Sequence, residues 1–311
     1  MQELQARKER RYAHPLLVVL ATIGGLTVVI MIAFFLSVLW ATKGMFTGPS
    51  VYHGDKVGVV EIKGLITEPE ATLKALRDFR YDQKIKAVVI RIDSPGGAVG
   101  ASQELFEEAL RLNKEKPVVA SLATVAASGG YYASLGARHI VANPGTVTGS
   151  IGVLMKVPNI GALLEKLGIK TTVVKSGTFK DLGSITRDMT EDERALLQEV
   201  IQDIQRQFIT AVVKSRKLPE EQVSALADGR IMTGHQALDA KLVDELGNFS
   251  VAVDKAASLA GIEGRPELVY PERDRLSIIR DLLREEGAKT LGNVLGQLLR
   301  SPAGNSVSYG I

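Results

Sequence analysis

From Lys56 onward, strand-like runs alternate with segments of helical periodicity, and this alternation limits the possible folds more than any other feature. Ile85–Ile92 (IKAVVIRI) is apolar enough to be a strand buried on both faces. It stands between two helix-like segments, Glu68–Gln83 and Ala98–Asn113, and Val118–Leu122 is strand-like again. Strands that alternate with helices at this spacing indicate βαβ units and a mainly parallel sheet. The sequence therefore predicts an α/β fold.

The second half of the chain is less regular. Val157–Leu167 has helical periodicity, and Lys170–Val174 (KTTVV) is expected to be a further strand. Thr190 is a good N-cap, and Glu193, three residues later, completes a capping box. We therefore expect a helix from there to about Ser215.

A long apolar stretch precedes the alternating region, since residues 15–42 carry no charged side chain. As a helix this stretch would be about 40 Å long, which exceeds the ~30 Å hydrocarbon core of a bilayer. A cleaved secretory signal is the alternative, but its apolar core is usually only ~7–15 residues long, and no clear A-x-A site follows here. We expect an uncleaved anchor. The basic flank lies before it, which puts the N-terminus in the cytoplasm and everything after Lys43 outside.

The amino-acid composition excludes several kinds of site and partner. The chain has no cysteine, which excludes disulfides, thiol nucleophiles and thiolate metal sites. Its formal net charge of +3 is too small to indicate nucleic-acid binding. No cofactor and no metal ion are expected.

The segment Thr124–Tyr132 (TVAASGGYY) places one hydroxyl, that of Ser128, where a strand leads into a helix. The first N–H groups of a helix lack intrahelical partners and can hold a developing negative charge. Gly129 and Gly130 also let a substrate backbone approach closely. A nucleophilic serine beside such a turn is what acyl transfer needs. A tightly packed Gly/Ser helix start is the alternative interpretation.

A serine nucleophile needs a base, and the sequence favours lysine over histidine. None of the four histidines, which are His14, His53, His139 and His235, stands in a glycine-marked loop with a carboxylate partner. Lys180 follows a strand-like end and Gly177. A lysine pKa near 10.4 must fall by about 3 units to serve at neutral pH, and burial in a dry cleft can supply that shift. An ordinary surface lysine remains the alternative.

The turn Ser94–Gly97 (SPGG) follows a buried-looking strand and opens a helix. Pro95 fixes φ, and the two glycines free the backbone to turn its amides toward a ligand. An ordinary turn would have the same residues. Ser94 itself is a poor candidate nucleophile, because Pro95 forces it into an extended conformation.

Jointly, five segments resemble the signal peptide peptidase A family of membrane-bound serine proteases and, more distantly, the Clp protease subunit and crotonase folds. The segments are DSPGG (93–97), VAASGGYY (125–132), TGSIGV (148–153), KSGTFKD (175–181) and DGRIMTGHQALDAKLVDELG (228–247). The resemblance implies a Clp/crotonase-like βαβ superhelical fold. It is to the short, single-domain form of the family, because this chain holds serine and lysine in one copy.

The resemblance also implies roles for single residues. Ser128 matches the family's nucleophile and Lys180 its general base, so the two would form a Ser/Lys dyad. Ser150 matches the serine that helps to hold that lysine. The oxyanion hole would come from the backbone amides of Gly97 and Gly129.

By the same resemblance, the chain would be a serine endopeptidase that cleaves remnant signal peptides and other apolar peptides after signal peptidase has released them. The family implies a dome-shaped homo-oligomer seated on the membrane, in which short members need more subunits, an octamer for example. A broader membrane quality-control protease with the same chemistry is one alternative. A crotonase-type acyl-CoA enzyme and an inactive scaffold are two others.

The resulting domain organisation has five parts. Residues 1–14 form a cytoplasmic basic segment and residues 15–42 the transmembrane anchor. Residues 43–56 are a linker, residues 57–265 the protease domain, and residues 266–311 a C-terminal segment with a mobile tail. The catalytic domain would lie outside the cytoplasm, in a periplasm or at the cell surface.

Overall fold

The structure, a computed structural model, describes residues 23–35, 37 and 55–272. Residues 23–35 are helical and expose large apolar side chains such as Met31 and Phe34. The rest of the expected anchor 15–42, the basic segment 1–14, most of the linker and the tail after residue 272 lie outside the described residues. Among the helices that the structure describes, none is both long and apolar enough to cross a bilayer.

Residues 55–272 belong to a separate unit that alternates strands and helices. In chain order its elements are β1 (Lys56–Lys63), α1 (Glu70–Tyr81), β2 (Ile85–Ser94), α2 (Val99–Glu115), β3 (Val118–Ala127), α3 (Gly129–Ser134), β4 (His139–Ala142), β5 (Val147–Gly149), α4 (Gly161–Lys166), α5 (Glu191–Arg216), α6 (Glu220–Leu226), β6 (Ile231–Thr233), α7 (Gly234–Asp239), β7 (Glu245–Leu246), α8 (Phe249–Leu259) and β8 (Glu267–Val269). The predicted α/β class is confirmed.

One mixed sheet organises this unit, with strand order β6-β5-β3-β2-β1-β8. Its pairings in the described part are parallel, apart from the antiparallel pair β5–β6. Strand β3 is central. It pairs with β2 along one edge, while its other edge pairs first with β4 and then with β5.

Both faces of the sheet are covered, as the apolar run in β2 predicts. Val88, Ile90 and Ile92 pack into the larger apolar cluster together with α1, α2 and α3. Ala87 and Val89, on the opposite face, pack against α8. Because successive side chains of a strand point to opposite faces, a strand between two helix layers is apolar at most of its positions.

Local signals at the helices are also confirmed. Leu73, Leu76 and Phe79 form the buried face of α1. In α5, the Thr190 side chain accepts the Glu193 N–H and the Glu193 side chain accepts the Thr190 N–H, which is the expected capping box. These signals are local in sequence, so tertiary packing has little room to override them.

The segment between β5 and α5 differs from the sequence-based expectation. Lys170–Val174 is not a strand, and the helix expected over Val157–Leu167 is only the short α4. Strands are stabilised by a hydrogen-bonded neighbour, and no described strand pairs with 170–174. Val174 is 96% exposed, so the apolar pattern there does not mark a strand of this sheet.

The ion pair Arg216–Asp244 joins the end of α5 to the segment before β7. Its two nitrogen–oxygen distances are 2.9 and 2.7 Å, and Arg216 Nε also donates to Lys241 O. The Arg216 side chain is only 9% exposed. We expect Arg216→Met to lower the free energy of unfolding by about 2 kcal/mol, because it leaves a partly buried carboxylate without its partner.

Urea unfolding of the purified protein measures this change. Arg206→Met is the matched control, since the Arg206–Asp203 pair is exposed on both sides and should contribute less than ~0.5 kcal/mol. Equal losses in the two variants would contradict a special role for the Arg216 pair.

Candidate active site

Ser128 stands at the corner between β3 and α3 in an uncommon backbone conformation. Its φ is 51° and its ψ is −120°. The Ser128 N–H donates to Gly149 O at 2.9 Å, and its carbonyl accepts the Tyr132 N–H at 2.8 Å. A non-glycine residue in such a conformation costs about 1–3 kcal/mol and is often found at functional sites. Sheet and helix thus both hold the strained serine.

The SPGG turn lies at the end of β2, beside this corner. Ser94 is fully buried, and its Oγ donates to Gly64 O at 2.6 Å and accepts the Gly96 N–H at 3.1 Å. Gly96 has a φ of 101°, which a side chain would strain. The turn is also tied to Ile66, whose N–H donates to Gly96 O and whose carbonyl accepts the Ala98 N–H.

The corner and the turn touch through their glycines. A Cβ atom built on Gly96 would lie 2.6 Å from Gly129 N and 3.0 Å from Ser128 Cβ. A Cβ atom on Gly129 would lie 3.2 Å from Gly97 N. Side chains at either position would therefore fill the space in front of the two amides. The structure brings Ser128, Gly129 and Gly97 together.

The amides of Gly97 and Gly129 are free donors. Within residues 55–272, neither N–H has a hydrogen-bond acceptor. The Ser128 hydroxyl likewise makes no side-chain hydrogen bond in this range. Two free amides beside one free hydroxyl can bind a carbonyl oxygen while the hydroxyl attacks its carbon, which is the geometry of acyl transfer.

Ser150 follows the residue that holds Ser128. Gly149 O accepts the Ser128 N–H, and the Ser150 N–H donates to Arg230 O at 2.7 Å. Ser150 also has a positive φ, of 50°. The half-buried Ser150 is therefore the residue next to Gly149, which binds the backbone of Ser128.

Lys180 lies in an exposed turn between α4 and α5, where its N–H donates to Gly177 O at 3.2 Å. In the described chain no hydrogen bond joins its amine to Ser128 or Ser150. The structure thus brings four of the five expected site residues into one neighbourhood and places the fifth on an exposed loop.

Arg187 ties the Lys180 loop to α5, which the sequence did not reveal. Its Nε donates to Asp181 Oδ2 at 2.8 Å and its Nη2 to Asp181 O at 3.0 Å. The same guanidinium makes two bonds, of 2.9 and 2.6 Å, to the Glu193 carboxylate. The residue after Lys180 is therefore fixed to the capped start of a long helix. The capping box alone was visible in the sequence.

Histidine does not contribute a base to this corner in the described chain. His139 begins β4, pairs with Val119 and contacts Glu245 at 2.9 Å. Its partner Val119 is near the start of β3, whereas Ser128 follows the end of that strand, so His139 lies far from Ser128. His235 is exposed and pairs with Asp239 on its own helix.

Tyr131 is close to Ser128 in sequence, but its role is structural. Its ring is fully buried and its hydroxyl donates to Leu242 O at 2.8 Å. Burial raises the pKa of this phenol, so the group stays neutral. The bond connects α3 with the late segment 228–247.

Comparison with known proteins identifies the family of the chain. Residues 111–263 match the model of Peptidase family S49. A Synechocystis protein named as a putative protease is 42% identical over 228 residues, which cover 73% of this chain and 79% of that protein. The chain belongs to peptidase family S49. This membership supports a protease function, and the predicted family relationship is confirmed.

Two further S49-type relatives differ in length. Protease 4 of Salmonella typhi is 37% identical over 68% of this chain, but the chain spans only 35% of that protein. A putative signal peptide peptidase SppA of Enterococcus faecium is 38% identical over 58% of this chain, which spans 53% of it. The S49 match includes both Ser128 and Lys180, whereas the SPGG turn precedes its first residue.

The Arg187–Glu193 contact of this S49 chain should be sensitive to acid. Hydrogen bonds from Arg187 and from the Thr190 N–H lower the pKa of Glu193 to about 2. An unfolded glutamate titrates near 4.3, so the contact stabilises the fold fully above that pH, and the contribution is lost as the pH falls toward 2.

We therefore expect the stability difference between wild type and Glu193→Gln to be constant from pH 5 to 8 and to shrink between pH 4.5 and 2. Thermal unfolding at stepped pH measures it. Arg187→Gln should lose the same pH-dependent part and, in addition, its hydrogen bonds to Asp181. The double variant should be about as stable as Arg187→Gln, because the contact with Glu193 is already broken in that single variant. A pH-independent difference would contradict this assignment.

Proposed function

We propose that this chain is a serine endopeptidase in which Ser128 is the nucleophile and Lys180 the general base. The observation that carries the proposal is the pair of free amides, Gly97 and Gly129, beside the strained Ser128. Preorganised amides that meet a developing oxyanion are commonly the largest single source of rate enhancement in acyl transfer.

The reaction would proceed in two steps. Ser128 Oγ attacks the scissile carbonyl while the uncharged Lys180 amine takes its proton, and the amides of Gly97 and Gly129 bind the oxyanion. The lysine then gives the proton to the leaving amine, which leaves an acyl-enzyme on Ser128. Water, deprotonated by the same amine, attacks the acyl carbon; as the bond from that carbon to Ser128 Oγ breaks, the lysine gives its proton to Oγ, which restores the hydroxyl and the uncharged amine. Ser150 would hold the lysine.

A lysine base must be uncharged, and dry surroundings favour the uncharged amine. The exposed position of Lys180 in the single chain is consistent with a homo-oligomer in which another copy covers this loop. Several large apolar side chains of the same region are also exposed, namely Leu154, Met155, Leu163, Leu167, Val174 and Phe179. Where exposed apolar side chains form a contiguous patch, they commonly mark an association surface. We propose a dome-shaped oligomer and a Clp/crotonase-like fold on the basis of the resemblance.

The proposed substrates are remnant signal peptides and other apolar peptides at the membrane. One relative is named a putative signal peptide peptidase, which supports this choice. The charge-free stretch 15–42 would anchor the enzyme, with its catalytic domain outside the cytoplasm.

Substitution of the dyad tests the chemistry. We expect Ser128→Ala and Lys180→Ala each to lower kcat for a peptide substrate by about 10⁴-fold or more, because the two groups act as a unit. Lys170→Ala, in the same exposed segment between α4 and α5, should retain wild-type activity. Sedimentation should show an unchanged oligomer. Full activity of Lys180→Ala at neutral pH would rule out the dyad.

A fluorophosphonate probe tests the nucleophile directly. It should label wild type on Ser128 and leave Ser128→Ala unlabelled, whereas an inactive scaffold would not react at all. A crotonase-type acyl-CoA enzyme would turn over acyl-CoA without needing Ser128. Membership in a peptidase family argues against that alternative.

Substrate range separates the two protease alternatives. For a signal peptide peptidase, kcat/KM should be at least about 10-fold higher for apolar signal peptides than for an unfolded soluble polypeptide, because its cleft would bind apolar segments. Equal values would favour a broad quality-control protease.

A further inference from the structure

We infer that Asp93 is a positioning residue for the nucleophile, because its carboxylate holds the bulge in β3 that aims Ser128. The inference rests on the proposed role of Ser128. Asp93 is the last residue before the SPGG turn, and neither the family match nor the proposed chemistry uses its side chain.

The pairing of β2 with β3 is interrupted at Asp93. Ile92 pairs with Leu122, and the next pair is Ser94 with Ala126. Two steps along β2 thus correspond to four along β3, so β3 carries two extra residues at this point. Such bulges bend a strand, change its twist and are over-represented beside active sites.

The bulge leaves a backbone donor of β3 without a carbonyl of β2 opposite it. Asp93 Oδ1 fills that place by accepting the Val125 N–H at 3.0 Å. On the other edge of the bulge, the buried Thr146 hydroxyl donates to Ala123 O at 2.6 Å. Toward β2 the bulge is therefore held by the Asp93 side chain rather than by a ladder hydrogen bond, and at Ala123 it is held by the Thr146 hydroxyl.

The bulge is also where β3 changes its neighbour. Leu122 is the last residue that pairs with β4, and Val125 is the first that pairs with β5. The pairing with β5 ends at Gly149, whose carbonyl accepts the Ser128 N–H. The position of Val125 thus sets the register between β3 and β5. That register places Ser128, three residues after Val125, where its N–H can donate to Gly149 O.

Asp93 acts on the SPGG turn as well, through its main chain. Its carbonyl accepts the Gly64 N–H at 3.0 Å, and the Gly64 carbonyl in turn accepts the Ser94 hydroxyl. One residue therefore connects the strand of the nucleophile with the loop that supports the Gly96–Gly97 turn. Loss of the Asp93 side chain should shift the Ser128 hydroxyl relative to the amides of the oxyanion hole, while the hydroxyl and the amides all remain present.

Three substitutions separate the hydrogen bond from the charge. Asp93→Ala should lower kcat by about 10- to 100-fold with little change in KM, since a displacement of ~1 Å in a catalytic group costs about that much. Asp93→Asn keeps an oxygen acceptor in place and should stay within about 3-fold of wild type. Asp93→Glu keeps the charge but displaces the acceptor, so its kcat should fall below that of Asp93→Asn.

Asp82→Ala is the matched control. Asp82 Oδ1 accepts a backbone N–H, that of Lys84, at the opposite end of β2 and should not affect kcat. If Asp93→Ala does not fold, the order of the Asn and Glu variants still decides. A higher kcat for Glu than for Asn would overturn the inference.

Hydrogen exchange of the peptide 122–127 gives a readout that does not depend on activity. Exchange at Val125 should be faster in Asp93→Ala than in wild type and nearly unchanged in Asp93→Asn. If Ser128→Ala retains hydrolysis, the proposed function fails, and the exchange experiment still tests the bond. If Ser128→Ala is inactive while Asp93→Ala keeps the wild-type kcat, only the role of Asp93 is overturned.

Discussion

The site depends on one strand with three neighbours. β3 pairs with β2 along one edge and with β4 and then β5 along the other. A single β-ladder could not present the end of β3 both to the turn after β2 and to the carbonyl of Gly149. The change of neighbour satisfies both requirements, and it confines Ser128 to a conformation that an isolated chain would avoid.

Side chains that perform no chemistry maintain this arrangement. Ser94 is buried and uses its hydroxyl to close the turn that presents the Gly97 amide. Buried polar groups of this kind are costly unless each is paired, and here the donor and the acceptor of one hydroxyl are both used. Arg187 serves the Lys180 loop in a similar way, but at the surface. The Ser128 corner is thus flanked by buried residues, while the Lys180 loop lies at the surface.

Much of this could be predicted from the sequence, because the signals are local. The apolar run in β2, the amphipathic face of α1 and the capping box of α5 depend on a few neighbouring residues. The glycines at the corner and the turn could likewise be identified, since close backbone approach requires them.

What could not be predicted depends on long-range register. The bulge opposite Asp93 is invisible in a run such as VVASLATVAA, which is equally compatible with an unbroken strand. The false strand at 170–174 has the same origin, because β-propensity does not reveal whether a neighbouring strand exists. The partners of Arg187 are six residues away on either side, a spacing that no single element explains.

The bonds between the corner and the late segment have a consequence for biosynthesis. Ser128 and Lys180 leave the ribosome well before Arg230 and Leu242, whose carbonyls accept the Ser150 N–H and the Tyr131 hydroxyl. A nascent chain that has emerged only as far as Lys180 therefore lacks two hydrogen bonds that brace the Ser128 corner. The corner can reach its final form only when translation of the folded unit is nearly finished.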